Sequence, residues 1–105
     1  GAYFFAAPLS YDEKMVKKKW KEQSPKIVTD LISVFDKALS FDAETLEGVF
    51  KTYIEDSGLS FGVAMIALRL SITGVGGGPS LFEVLEIIGR AESFSRMKKC
   101  VEVLG

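Results

Sequence analysis

Arg69 is the charge that the sequence places least comfortably. It lies within Met65-Ile66-Ala67-Leu68-Arg69-Leu70-Ser71-Ile72, an almost wholly apolar stretch. A charge on such a helix is costly unless something receives it. Just beyond it runs Thr73-Gly74-Val75-Gly76-Gly77-Gly78-Pro79, and Ser80 then opens a second helical pattern. The glycines leave backbone N–H groups uncovered by side chains. A guanidinium beside bare amides suits a phosphate, a carboxylate or a nucleobase. Arginine's planar fork can bond a base edge or stack on its face, which lysine's point charge cannot. The plainer reading is an arginine near a helix C-terminus, its stem buried and its head in water, with the glycines forming a tight turn between packed helices. The loop is neither a dinucleotide-binding fingerprint nor a phosphate-binding P-loop: no strand precedes it and no Gly-Lys-Ser/Thr ends it.

The other candidate groups are weaker. Histidine is absent, which removes the commonest general acid–base group and the commonest metal ligand. Cys100, the single cysteine, cannot make a zinc site alone and forms no internal disulfide, which fits a reducing, cytoplasmic setting. Glu55 and Asp56 are consecutive at a helix end, so their side chains diverge and make no acid–base dyad. Trp20 and Tyr53 read as core residues rather than stacking platforms. Lys17-Lys18-Lys19 reads first as a solvated helix face; a phosphate-contacting role would show as salt-dependent affinity. No catalytic residue, metal site or bound cofactor is expected in this chain. The longest apolar run, Phe61 to Leu68, is too short to span a bilayer, so no membrane association is expected. Net charge is −1, so any contact with RNA must come through a local patch rather than a basic face.

These groups need a scaffold, and the pattern supplies helices. Asp12 caps a helix over Glu13 to Glu22, with Met15, Val16 and Trp20 inward. Ser24 caps a second, with Pro25 at its first position and Ile27, Leu31, Val34, Phe35 and Ala38 at helical spacing. Asp42 caps Ala43 to Asp56, which Gly58 ends. Ser60 caps Phe61 to about Ile72, apolar nearly all round and therefore central. Ser80 opens the fifth, with Glu83 completing a capping box, and Gly89 ends it. A last helix runs from about Glu92 to Leu104. The expectation is an all-α, compact bundle of about six short helices. Gly1 to Ser10 looks extended. Residues 1–11 are read as a linker from an upstream domain and 12–105 as the helical domain. The aromatic Tyr3, Phe4 and Phe5 suggest a segment that once packed on something upstream, in a piece of a longer chain.

Leu68-Arg69, Thr73-Gly74, Gly78-Pro79, Leu81-Phe82-Glu83, Leu85, Ile88-Gly89-Arg90 and Arg96 together resemble the C-terminal anticodon-binding domain of bacterial glutamyl-tRNA synthetases. That family shows an arginine before a Leu/Ile-Thr-Gly, then Gly-Pro-x-Leu-Phe-Glu, a hydrophobic-Gly-Lys/Arg turn and a downstream arginine. Tyr11 to Lys14 and Trp20 also look like its linker into the domain. The resemblance implies an all-α cage gripping the anticodon loop of tRNA(Glu), with Arg69 on an anticodon base and Gly78, Pro79 and Leu81 packing on or reading splayed bases. At Gly78 this chain departs from a hydroxyl residue, leaving only backbone there. The resemblance further implies a monomeric parent glutamate–tRNA ligase whose ATP and magnesium sites lie in an upstream catalytic domain, and upstream domains of the same chain as partners. Two rival readings remain: a helical protein–protein docking domain, and a small enzyme holding a phosphorylated ligand at the glycine loop.

Overall fold

The computed structural model describes residues 6–105, and these hold five helices and no strand. They are α1 (Glu13–Lys19), α2 (Ser24–Asp36), α3 (Ala43–Ser57), α4 (Phe61–Thr73) and α5 (Leu81–Leu104). The all-helical class agrees with the sequence reading, but the count of six does not. Where a helix was expected to stop at Gly89 and another to start near Glu92, the chain continues as one element with a single non-helical residue, Gly89 (φ 85°, ψ 172°). Tyr3, Phe4 and Phe5 lie outside the described residues.

Three of the expected caps form. Asp12 accepts from the amides of Lys14 and Met15, Asp42 from that of Thr45, and Ser60 from that of Val63. Each such cap contributes on the order of 1 kcal/mol. Two expectations fail. Ser24 is the first helical residue rather than the cap, which is Gln23; its hydroxyl accepts from the Lys21 amide at 2.8 Å and fixes the corner before α2. That corner ends α1 at Lys19 rather than Glu22. Ser80 occupies the cap position of α5, yet its side chain makes no capping bond, so the capping box with Glu83 is absent.

The core follows the apolar spacing. Ile27, Val28, Leu31 and Phe35 of α2 meet Ala64, Ala67, Leu68 and Ile72 of α4 and Leu81, Val84 and Leu85 of α5. α4 lies against both α2 and α5, while α1 rests on α4 and α3 closes the bundle over α2 and α5. Phe50 of α3 takes Phe61 and Phe82 edge-on, with ring centroids 5.6 and 5.5 Å away, contacts worth about 0.5–1.5 kcal/mol each beyond their burial. Trp20 and Tyr53 pack on this core as expected. The Tyr53 hydroxyl donates to Asp30 at 2.9 Å. Cys100 is fully buried, and burial pushes its thiol up to about 12, so it is not a nucleophile at neutral pH.

Candidate RNA-binding site at the glycine turn

The site begins where α4 ends. Gly74 closes that helix with a left-handed residue (φ 79°), and its amide donates back to Leu70. A Cβ at Gly74 would stand 2.7 Å from the Ser10 carbonyl and 2.8 Å from Pro8. The Gly74 carbonyl in turn accepts from the Asp12 amide at 2.8 Å. The segment before α1 is thus laid directly across the start of the turn. Gly76 is covered too, since a Cβ there would run into Met15. The inner half of the turn is packed shut.

Its outer half is open. Gly77, Gly78, Pro79 and Ser80 are exposed, and a Cβ on Gly77 would meet nothing within 4 Å. Arg69 stands over this half. Its Nη1 donates to the Pro79 carbonyl at 2.9 Å and would lie 3.8 Å from a Cβ on Gly78. The side chain is half-buried, and burial lowers its pKa from the usual arginine value without removing its charge. Among the described residues it has no acidic partner. Guanidinium carries five N–H donors, so one bond to Pro79 leaves most of the fork for a ligand. Thr73 ties the frame: its hydroxyl donates to the Arg69 carbonyl at 3.0 Å and accepts from the Val75 amide at 3.4 Å.

The structure therefore brings Arg69, Gly78 and Pro79 together. Leu81 it places differently. That side chain is 1 % exposed and sits in the core, so it anchors the start of α5 and offers a ligand only backbone. No side chain caps the first amides of that helix. A groove of about 610 Å³ between α2 and α3, lined by Val34, Val49 and Tyr53, lies apart from the turn.

The two other arginines of the sequence pattern do internal work that local reasoning did not assign. Arg96 is 3 % exposed; its Nη1 donates to the Ile72 carbonyl at 2.9 Å and its Nε to Glu92 at 2.8 Å. It thereby satisfies a carbonyl that the end of α4 leaves without a helical partner. Arg90 caps α2 in the same way, donating to the carbonyls of Phe35, Asp36 and Ala38 while its guanidinium lies 5.2 Å from the Phe41 ring centroid. Neither lies in an apolar run like that around Arg69, so the sequence carries no local signal for these roles.

A family model described as an anticodon binding domain matches residues 1–101. The chain is 45 % identical over 103 residues to a glutamate–tRNA ligase of Porphyromonas gingivalis, covering 98 % of this chain and 20 % of that protein. It is 43 % identical to the corresponding ligase of Bacteroides thetaiotaomicron, with the same coverage of each. The crystal structure of a glutamate tRNA ligase from Elizabethkingia meningosepticum in complex with its amino acid superposes with a TM-score of 0.93 at 36 % identity, covering all of this chain and 21 % of that one. The chain spans about a fifth of the length of these relatives. A helical bundle with an open arginine-flanked turn, matched by a family model across nearly its whole length, belongs to the anticodon binding domain family.

Proposed function

We propose that the chain is the anticodon-loop recognition module of a glutamate–tRNA ligase, and that Arg69, Gly78 and Pro79 form its base-reading edge. The observation that carries this is the Arg69 guanidinium, half-buried, without an acidic partner among the described residues and held over an open turn by one bond to Pro79. Sequence-specific RNA recognition targets unstacked loop bases through base-edge hydrogen bonds and stacking surfaces. A guanidinium already oriented by Pro79 spends less entropy on meeting a base than a free one. Leu81 serves by anchoring the helix start rather than by touching bases.

On this reading, residues 1–11 lead in from upstream domains of the same chain. Glutamate activation with ATP and magnesium belongs to the catalytic part of the ligase; among the described residues no group of three His, Cys, Asp or Glu could hold a metal. The module acts as a monomer in the cytoplasm. Among the described residues the exposed large apolar side chains are Leu9, Leu39, Phe61 and Val75 on separate segments and Ile87 and Val103 on α5, sixteen positions apart, a scatter ordinary for a monomer surface. No helix among the described residues is long and apolar enough to cross a membrane.

Arg69→Ala in the full-length ligase tests the assignment. Transition-state stabilisation for tRNA(Glu) should drop by ~1–3 kcal/mol with relaxed anticodon preference, read from aminoacylation kcat/KM on wild-type and anticodon-substituted tRNA. Unchanged kinetics on both would remove Arg69 from the site.

A further inference from the structure

The lysines of α1 remain unused by the base-reading edge. Lys14, Lys17, Lys18 and Lys19 are all exposed, and none makes an ion pair among the described residues. Helix electrostatics accounts for part of the cluster. Lys17, Lys18 and Lys19 fill the last turn, where the macrodipole favours cations. Lys14 does not fit that account, because it sits in the first turn, where a cation is disfavoured. It is also at the end of α1 that touches the glycine turn, two residues after the Asp12 amide that bonds Gly74.

The turn fixes which lysines face which way. Met15 lies against Gly76. Lys14 precedes Met15, and Lys18 follows Lys14 by four positions and Met15 by three, so the two lysines share one helix face and flank Met15. Lys17 is on the other side, in a separate groove with Val16, Glu13 and Lys99. The Asp12 carboxylate accepts from the amides of Lys14 and Met15, and no ion pair joins Lys14 to it or to Glu13. Between Met15's contact at Gly76 and Arg69's neighbour Gly78 stands one residue, Gly77, whose surroundings are open. From Arg69 the turn thus runs through Gly78 and Gly77 to Gly76 under Met15, with Lys14 and Lys18 on the helix face that flanks Met15.

We infer that Lys14 and Lys18 form a phosphate track for the RNA strand that flanks the base held at Arg69. The inference rests on the proposed RNA reading of the turn. It adds a division of labour within one surface: the arginine end reads bases, and the lysine end neutralises backbone without regard to sequence. Ammonium groups suit that second task, since a point charge on a flexible stem follows a phosphate that need not be held in one geometry.

The experiment measures binding of the chain to a tRNA anticodon stem-loop hairpin bearing the glutamate anticodon, and to one with a substituted anticodon, across a salt series starting at low ionic strength. The Lys14→Gln/Lys18→Gln variant keeps helix propensity and removes two charges. It should weaken both hairpins alike, roughly tenfold at low salt, and flatten the salt dependence of log K by about 1–2. The charge-matched Lys37→Gln/Lys51→Gln variant, at exposed positions after α2 and on α3, should leave that slope unchanged. Arg69→Ala should instead erase the preference between hairpins. An unchanged slope in the α1 variant, with Arg69→Ala still altering preference, overturns the lysine track and leaves the base-reading edge standing. An equal loss from the Lys37/Lys51 variant overturns it as well, because only net charge would then matter. A flattened slope with no anticodon preference in the wild-type chain supports the track and overturns the base reading. Absence of binding by the wild-type chain at low salt overturns both.

Discussion

Two arginines reach backbone carbonyls around the C-terminal end of α4, each over 2.9 Å. Arg96 comes from inside the bundle to Ile72, is 3 % exposed and carries Glu92 with it. Arg69 goes outward to Pro79, is half-buried and has no acidic partner among the described residues. The same bond serves opposite ends. A guanidinium enclosed with a carboxylate and a carbonyl is spent on holding the fold. One that is held by a single carbonyl at an open edge is oriented but still available. The turn between them divides likewise, with Gly74 and Gly76 covered by Pro8, Ser10 and Met15 while Gly77 meets nothing.

Removing Arg96 should break this contrast most severely. Arg96→Ala leaves the Ile72 carbonyl unsatisfied and a cavity where the stem packed, so urea unfolding should show a loss of about 3 kcal/mol and a Tm lower by roughly 10–20 °C. Arg69→Ala should cost under ~1 kcal/mol of stability, its penalty appearing in RNA discrimination instead. If the two variants unfold alike, the division between a structural and an available arginine is wrong.

The turn offers the next comparison. Gly74→Ala forces a side chain into a left-handed residue and against the Ser10 carbonyl, so it should lose about 2 kcal/mol or more. Gly77→Ala, in open space, should stay within about 0.5 kcal/mol of wild type. Equal losses at both positions would mean that the outer half is not open in solution.

Acid supplies the smallest effect and a control on location. The hydrogen bond from Lys26 holds Asp30 below the usual carboxylate range, and the Thr45 amide does the same for Asp42. A pKa lowered by folding contributes stability that is present above the unfolded value, near 4, and is lost as pH falls through the folded one. The urea midpoint should therefore decline on acidification below about pH 4, and Asp42→Asn should flatten part of that decline. Arg69 keeps its charge throughout. A midpoint indifferent to acid would remove these carboxylates from the account.

Much of the scaffold was legible because it is written locally. Asp12, Asp42 and Ser60 cap the helices they precede in sequence, and the apolar spacing of α2 and α4 names the core. The errors lie where distant partners decide. Ser24 turned from cap to corner because Lys21 needed an acceptor. Ser80 kept the position of a cap without its bond. Leu81, assigned to the binding edge by the resemblance, has its side chain in the core. Arg90 and Arg96 satisfy carbonyls some 55 and 24 positions earlier, a relation no periodicity contains. The anomaly at Arg69, one charge on an apolar helix, is local and visible in the sequence, whereas the covering of Gly74 by Pro8 and Ser10 is not.

Gly89 is the one residue of α5 outside helical geometry (φ 85°, ψ 172°). Before this joint α5 buries Leu81, Phe82, Val84 and Leu85; after it the buried set is Ser93, Arg96, Met97 and Cys100. Arg90 and Arg96, which satisfy the carbonyls that end α2 and α4, both lie beyond it. The direction in which the chain leaves one glycine therefore bears on whether two other helices are finished.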